Sequence, residues 1–208
     1  MAEAPAFLLH GHFESGNVYK VALLLSLLGQ PFAYRHVALF DGETRTEPYR
    51  DLNRFQEVPV LEHAGERLCQ SAVILAYLAD RFGRYQGRDE RERRRVAEWL
   101  AWEQQRILAG PALIRFIRRF QPEVPQAVID YLIPRAERAL GQLERAVGAT
   151  AFLAGDRATI ADVAVSAYLF WLDQAGLDPS RWPAIQAWLE RIKALPGFKP
   201  AEALLPRP

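Results

Sequence analysis

The chain has 208 residues, half of them apolar, which is enough material for one large domain or two modest ones with a buried core. Its 26 basic and 25 acidic side chains leave a formal net charge of +1, so no global field attracts nucleic acid or an anionic membrane. The longest apolar run near the start, residues 21–28, is far shorter than the roughly 20 residues of a membrane span, and no signal-peptide pattern precedes it. We therefore expect a cytoplasmic protein without nucleic-acid or membrane partners.

The single cysteine, Cys69, excludes an intrachain disulfide framework and any cysteine-rich metal site. It follows Leu68 at the end of a predicted strand, which predicts a buried and inert thiol. Of the four histidines, only His10 and His12 can share one strand face, so we predict no metal site.

The first 83 residues alternate extended and helical patterns in the order β-α-β-α-β-β-α. The pattern predicts a strand over 6–10, a helix over 16–28, a strand over 32–37, a polar loop with at most a short helix over 41–53, a hairpin from 58–61 and 67–68, and a helix over 71–82. Gly29 and Gly83 follow the first and last helices, where glycine commonly ends a helix. This part of the chain is predicted to be an α/β domain.

From residue 84 onwards the sequence pattern changes. It predicts a polar linker over 84–90 and a second domain over 91–208. The predicted helices cover 90–120 with a break at Gly110-Pro111, 124–147 with a bend at Pro134, 159–175, and 183–195. The fold class is therefore α/β followed by an all-α bundle.

Three segments of the first domain carry candidate chemistry. Ser15 and Asn17 follow the first strand at the start of a helix, where a hydroxyl either caps the helix or donates to a ligand thiolate. Val58-Pro59 opens a strand, where the residues alone favour an ordinary trans bond and a cis bond is the alternative. Gln70-Ser71 begins an apolar helix, so free backbone N–H groups and a hydroxyl point at one small volume suited to a carboxylate.

These segments, in this order and spacing, resemble the glutathione transferase family over nearly the whole chain. The resemblance implies a thioredoxin-like first domain that binds glutathione as co-substrate, and a helical bundle that follows it. Residues 155–162, which contain Thr159 and Asp162, are similar to the family's capping motif in the helical domain. That motif serves folding rather than chemistry.

By resemblance, Ser15 and Asn17 face the glutathione sulfur, Val58 and Pro59 face the cysteinyl amide, and Gln70 and Ser71 hold the γ-glutamyl end. Glu57 departs from the family pattern, because it puts a negative charge where the glycyl carboxylate is expected. Gln56 or Arg45 can compensate for that charge. The absence of a cysteine at the position of Ser15 argues against relatives that form mixed disulfides with glutathione.

The resemblance places the electrophile beside the first long helix of the helical domain. The candidates for this pocket form an aromatic and basic stripe: Trp102, Arg106, Arg115 and Phe116. The implied activity is a transferase that activates the glutathione thiol for attack on an apolar or aromatic electrophile, in a homodimer. Two alternatives stay open: glutathione-dependent disulfide reduction or peroxide removal, and a non-catalytic binding or regulatory protein of this fold.

Overall fold

The structure is a computed structural model that describes residues 6–208, and it divides into two compact units. Of the described residues, the first unit contains 6–84 together with Leu195–Pro208, and the second contains Tyr85–Ala194. The predicted helical domain ran to residue 208, so the structure differs from the prediction at the C-terminus. Within the described residues, no helix combines the length and the apolarity that crossing a membrane requires.

The first unit is a four-stranded mixed sheet with helices, and its predicted order β-α-β-α-β-β-α is confirmed. Its elements are β1 (Phe7–Gly11), α1 (Gly16–Leu27), β2 (Phe32–His36), α2 (Glu47–Leu52), β3 (Val60–His63), β4 (Glu66–Cys69) and α3 (Ser71–Phe82). The strand order is β2-β1-β3-β4, with β1 parallel to β2 and antiparallel to β3. The polar stretch, predicted as a loop with at most a short helix, contains the six-residue α2 and a 3₁₀ turn at Glu43–Arg45.

The core of this unit is built from the apolar positions that the sequence pattern indicated. Leu9, Leu25, Leu61, Ile74 and Leu78 are fully buried, on two strands and two helices. Burying side chains of this size stabilises the fold by roughly 1.5–3 kcal/mol each. Helix α3 ends at Gly83, which adopts the left-handed conformation (φ 62°) that favours glycine.

The regular elements of the second unit are helices. Its elements are α4 (Glu90–Arg106), α5 (Leu113–Phe120), α6 (Gln126–Ala149), α7 (Ile160–Ser166) and α8 (Pro183–Lys193). The break predicted at Gly110-Pro111 is a wide turn over Leu108–Ala112, in which Gly110 leaves helical geometry (φ −120°, ψ −106°). Helix α6 continues past Pro134.

The helix predicted over 159–175 is shorter than expected, because α7 ends at Ser166. It is followed by two 3₁₀ turns, Leu169–Trp171 and Asp173–Ala175. Leu169, Leu172 and Ala175 are all buried, and their spacing of three matches the three residues per turn of a 3₁₀ helix. The same apolar pattern fits an α-helix and a 3₁₀ helix, so the predicted α-helix is wrong for the part after Ser166.

The C-terminal segment belongs to the first unit because it is bonded to α1. The Tyr19 hydroxyl donates to Lys199 O at 3.0 Å, and the Ser26 hydroxyl donates to Gly197 O at 2.6 Å. Gly197 has φ 89°, and a Cβ atom there would lie 2.6 Å from Ser26 O, so only glycine fits. A short helix that the sequence patterns did not reveal, α9 (Ala201–Leu204), packs against α1.

We expect Leu205→Ala to lower the free energy of unfolding by about 2 kcal/mol, the low end for a buried leucine, because a site near a chain end can partly close over the cavity. Leu205 is 1% exposed, whereas its neighbour Leu204 is half-buried and provides the matched control. Urea unfolding of the two alanine variants measures the difference. Equal destabilisation by both substitutions would contradict the expectation that burial of Leu205, rather than of Leu204, anchors the C-terminal segment.

Candidate functional site

The sheet register brings the three candidate segments to one edge. His10 of β1 lies opposite Val60 of β3, and Val60 lies opposite Cys69 of β4. The loop after β1, the start of β3 and the end of β4 therefore meet at the same edge of the sheet. Pro59 and Gln70 are directly next to this row and Ser15 lies five residues after His10, so the predicted grouping of the three segments follows from the fold.

Ser15 is the N-cap of α1. Its backbone is extended (φ −85°, ψ 116°), its own N–H donates to His12 O at 3.0 Å, and its Oγ accepts from the N–H of Val18 at 3.4 Å. Among the described residues, the Ser15 hydroxyl has no acceptor for its own proton. The half-buried side chain is therefore a cap that still has one hydrogen bond to donate.

Asn17 lies in the first turn of α1 and joins two of the candidate segments. Its Oδ1 accepts from Lys20 Nζ at 2.7 Å and from the Ser71 hydroxyl at 3.5 Å. Because both contacts use the oxygen, the amide nitrogen of Asn17 is the group that can donate to a ligand. Lys20 is fully buried, and no motif in the sequence indicated a cation at this position.

The Val58–Pro59 peptide bond is cis, as the family resemblance implies, and Pro59 is buried. The preceding carbonyl, Glu57 O, accepts hydrogen bonds from the Tyr49 hydroxyl at 2.9 Å and from Asn53 Nδ2 at 2.7 Å. The backbone N–H and C=O of Val58 have no partner among the described residues. This residue therefore presents one free donor and one free acceptor to an extended peptide.

Helix α3 begins with an uncapped N-terminus. Gln70, not Ser71, is its N-cap residue, with φ 68° and no side-chain hydrogen bond to the helix. In the described chain, the N–H groups of Ser71, Ala72 and Val73 have no acceptor, and the Ser71 side chain is 5% exposed. Free N–H groups at a helix N-terminus attract a carboxylate, so this helix start is compatible with the carboxylate site, which stays a prediction.

The two remaining predicted glutathione contacts are on the surface. Gln56 is exposed, has φ 56°, and its N–H donates to Asn53 O at 2.9 Å. Arg45 is exposed at the end of a 3₁₀ turn, and its guanidinium has no partner within the described residues. The contacts of these two side chains do not join them to the other candidates.

The predicted electrophile residues fall into two clusters within the helical unit. Trp102 donates from Nε1 to Gln142 at 3.4 Å, and Arg106 lines a cavity of about 400 Å³ with α6. Arg115 is 5% exposed, donates from Nε to Gln174 at 2.8 Å and lies 4.4 Å from the centre of the Trp171 ring. The Phe116 and Phe120 rings are 5.5 Å apart. Arg115 is thus engaged in packing rather than presented at a surface.

Cys69 is half-buried, and burial raises the pKa of its thiol, although the charge of Arg54 opposes this shift. Cys69 is therefore less buried than the sequence predicts, and although a raised pKa keeps a thiol protonated, the inertness of Cys69 stays a prediction. Among residues 6–208, no group of three or more His, Cys, Asp and Glu side chains lies close enough to hold a metal ion.

Two protein-family models match the chain. The model described as "Glutathione S-transferase, N-terminal domain" matches residues 15–81, and the one described as "Glutathione S-transferase, C-terminal domain" matches residues 126–191. Together they cover the segments that hold Ser15, Val58 and Ser71 and the capping motif of α7.

The chain is also similar to individual proteins. A solved glutathione S-transferase from Pseudomonas fluorescens is 35% identical, with a TM-score of 0.90 over 94% of this chain and 98% of that one. The glutathione S-transferase sirG of Leptosphaeria maculans is 32% identical over 76% of this chain and 74% of its own. The disulfide-bond oxidoreductase YfcG of Escherichia coli (strain K12) is 27% identical over 87% of each chain.

Proposed function

Because the chain belongs to the glutathione S-transferase family, we propose that it binds glutathione and activates the thiol, as thiolate, for attack on an apolar or aromatic electrophile. The observation that carries this proposal is the Ser15 hydroxyl, which caps α1 through its oxygen and keeps its proton for another acceptor. A thiolate sulfur beside the start of α1 is such an acceptor.

The free energy of the proposed contacts is sufficient to ionise the thiol of glutathione at neutral pH. A free thiol has a pKa near 8.5, and half-ionising it at pH 7 requires a shift of about 1.5 units, or about 2 kcal/mol. One hydrogen bond to a charged group contributes about 1.5–3 kcal/mol, and a helix N-terminus adds a few tenths to about 1 kcal/mol. Ser15 at the N-terminus of α1 combines both contributions.

The rest of glutathione would extend along the same edge of the sheet. The free backbone groups of Val58 would pair with the cysteinyl residue, and the uncapped start of α3 with Ser71 would take the γ-glutamyl carboxylate. The Asn17 amide is next to the start of α3, because its oxygen accepts from the Ser71 hydroxyl. We assign Asn17 the task of positioning Ser71, together with a donor that can share in stabilising the thiolate.

The catalytic contribution would be nucleophile activation combined with proximity. The electrophile would lie against the helical unit, where Trp102, Arg106 and Phe116 are the proposed contacts and Arg115 supports the packing around Trp171. The family resemblance also implies a homodimer, for which light scattering would report twice the mass of the chain.

A second candidate is glutathione-dependent disulfide reduction. It is favoured by the similarity to the disulfide-bond oxidoreductase YfcG, which covers 87% of both chains. Parallel assays with an aromatic halide and with a glutathionylated disulfide separate the two reactions. Turnover of the disulfide alone would replace the transferase proposal with this one.

Retention on a glutathione-affinity column, together with an ultraviolet thiolate band when glutathione is added at neutral pH, tests the proposal directly. We expect both signals from the wild-type protein. A folded protein that gives neither signal would contradict glutathione binding and favour the non-catalytic interpretation.

A further inference from the structure

One cavity of the second unit is lined by positively charged side chains. It has a volume of about 400 Å³ and lies between the end of α4 and the middle of α6. Its lining consists of three arginines, one glutamine and two residues without polar side chains: Arg106, Arg135, Arg138, Gln142, Pro134 and Ala139. A guanidinium carries five N–H donors and no acceptor, and it stays charged at physiological pH. The cavity therefore gathers positive charge and hydrogen-bond donors.

No carboxylate neutralises these three charges. Within residues 6–208, the guanidinium groups of Arg106 and Arg138 have neither a hydrogen bond nor an ion pair. The guanidinium of Arg135 lies 3.8 Å from the centre of the Tyr131 ring. This cation–π contact holds the Arg135 side chain but uses none of its N–H groups as hydrogen-bond donors. All three arginines can therefore donate to a ligand.

The acids of α6 are bonded away from the cavity. Glu137 forms an ion pair with Arg181, and Glu144 accepts from two N–H groups at the start of α8, at 2.8 and 2.9 Å. Other arginines of this unit do have carboxylate partners, as Arg88 and Arg94 show. The excess of positive charge at the cavity is therefore a local feature, in a chain whose formal net charge is only +1.

Gln142 adds an uncharged donor to the same cavity. Its Oε1 accepts from Trp102 Nε1 at 3.4 Å, so its amide nitrogen is the group that can donate to a ligand. A lining of guanidinium and amide donors suits a ligand with several negatively charged oxygens. It does not suit the apolar or aromatic electrophile of the proposed function, so the cavity calls for a different ligand.

We propose that this cavity binds a small polyvalent oxyanion, a molecule that carries two or more phosphate or carboxylate groups. The planar fork of a guanidinium matches the oxygens of either group in a bidentate pair. Neighbouring guanidinium charges repel one another, and a polyvalent anion between them replaces this repulsion with attraction. The site is independent of the transferase proposal, because Arg135 and Arg138 are not among the contacts assigned to glutathione or to the electrophile.

Calorimetric titration of the full chain with inorganic pyrophosphate and, separately, with citrate tests the site. Low ionic strength is required because salt screens exposed charges. We expect saturable binding of at least one of these anions, and the tighter one identifies phosphate or carboxylate as the preferred group. Arg138→Gln keeps an amide donor but removes one charge, so it should weaken binding about tenfold, the factor that one charged hydrogen bond contributes. Arg135→Gln should act in the same direction.

Arg93→Gln is the matched control. Arg93 is an exposed arginine of α4 outside the cavity lining, 13 residues before Arg106 and thus roughly 20 Å away along the helix. Its replacement should leave both dissociation constants unchanged.

Four results would overturn the proposal. The first is a folded wild-type protein that binds neither anion, and the second is an Arg138 variant that binds as tightly as wild type. The third is equal weakening by the Arg93 substitution, which would mean diffuse attraction instead of a site. The fourth is a fall in the mass from light scattering for the Arg138 variant, which would assign the arginines to a contact between copies of the chain.

Discussion

Replacing Ser15 by alanine is expected to reduce kcat at neutral pH by about 10- to 100-fold, with a much smaller change in glutathione affinity. The loss corresponds to one hydrogen bond to a charged acceptor, about 1.5–3 kcal/mol. The hydroxyl proton has no acceptor among the described residues, so its partner is expected to be the ligand. Steady-state kinetics and the ultraviolet thiolate band measure the two effects.

The pH dependence gives the sign of the effect. In the proposed role, Ser15 stabilises the ionised thiol, so its removal is expected to raise the pKa of bound glutathione and to move the rising limb of the pH–rate profile to higher pH. The deficit is therefore full at neutral pH and shrinks above the pKa of the free thiol, where glutathione is ionised without help. A deficit that stays constant with pH would contradict thiolate stabilisation.

Ser15→Thr is the matched control, because threonine keeps both the cap and the hydroxyl. Loss of the cap alone costs about 1 kcal/mol of stability, which thermal unfolding of the alanine variant reports separately from kcat. Unchanged turnover in a folded alanine variant would transfer the role to Asn17 or to the backbone N–H groups.

The fold is predictable from the sequence where the local hydrophobic pattern and the residues that end helices agree. The alternation of strands and helices, with glycine after α1 and α3, was sufficient for the order of the first unit. The helical unit was less well defined. The buried residues Leu169, Leu172 and Ala175 fit a helix pattern at first sight, and only their spacing of three distinguishes 3₁₀ turns from an α-helix.

The C-terminal segment could not be predicted because its structure depends on distant contacts. Helix α9 has four residues, too few for a periodic pattern, and Lys199 and Gly197 are bonded to residues of α1 more than 170 positions earlier. The sequence of this segment therefore shows no periodicity. Only its contacts in the folded structure assign it to the first unit.

The candidate site shows the same division between local and distant information. Ser15, Val58 and Ser71 lie in recognisable local motifs, and the pairing of β1, β3 and β4 brings those motifs to one edge. No local motif indicates the buried ammonium of Lys20 or the hydrogen bond between Gln70 and Glu57, because both depend on side-chain contacts made in the fold. The positive φ of Gln70, which no sequence rule for glutamine suggests, accompanies that bond.

Replacing Asp162 by alanine is expected to be the most destabilising single change outside the apolar core. Asp162 is fully buried and completes the predicted capping box with Thr159. Its Oδ1 accepts from Leu153 N at 2.9 Å and Trp188 Nε1 at 3.0 Å, and its Oδ2 accepts from the N–H and hydroxyl of Thr159 at 2.9 and 3.2 Å. Burial raises the pKa of Asp162, and these hydrogen bonds oppose that shift.

Alanine leaves three buried N–H groups without an acceptor, on Leu153, Thr159 and Trp188. Each unsatisfied buried group costs about 1–3 kcal/mol, so we expect a loss of about 3–5 kcal/mol in the free energy of unfolding. Asp162→Asn retains one oxygen for two of these donors and should cost about half as much. Urea unfolding, followed by tryptophan fluorescence because Trp188 is in the network, measures both variants.

Asp173→Asn is the control, since Asp173 is exposed and its side chain has no partner in the described chain, so its change should stay within about 0.5 kcal/mol. If alanine and asparagine at position 162 cost the same, loss of the charge rather than of the acceptors would explain the effect. The local motif accounts for only the Thr159 contacts. The Asp162 carboxylate also accepts from Trp188, 26 residues further along, and so joins α7 to α8. A loss of unfolding free energy larger than the loss of one helix cap would therefore distinguish this network from a cap.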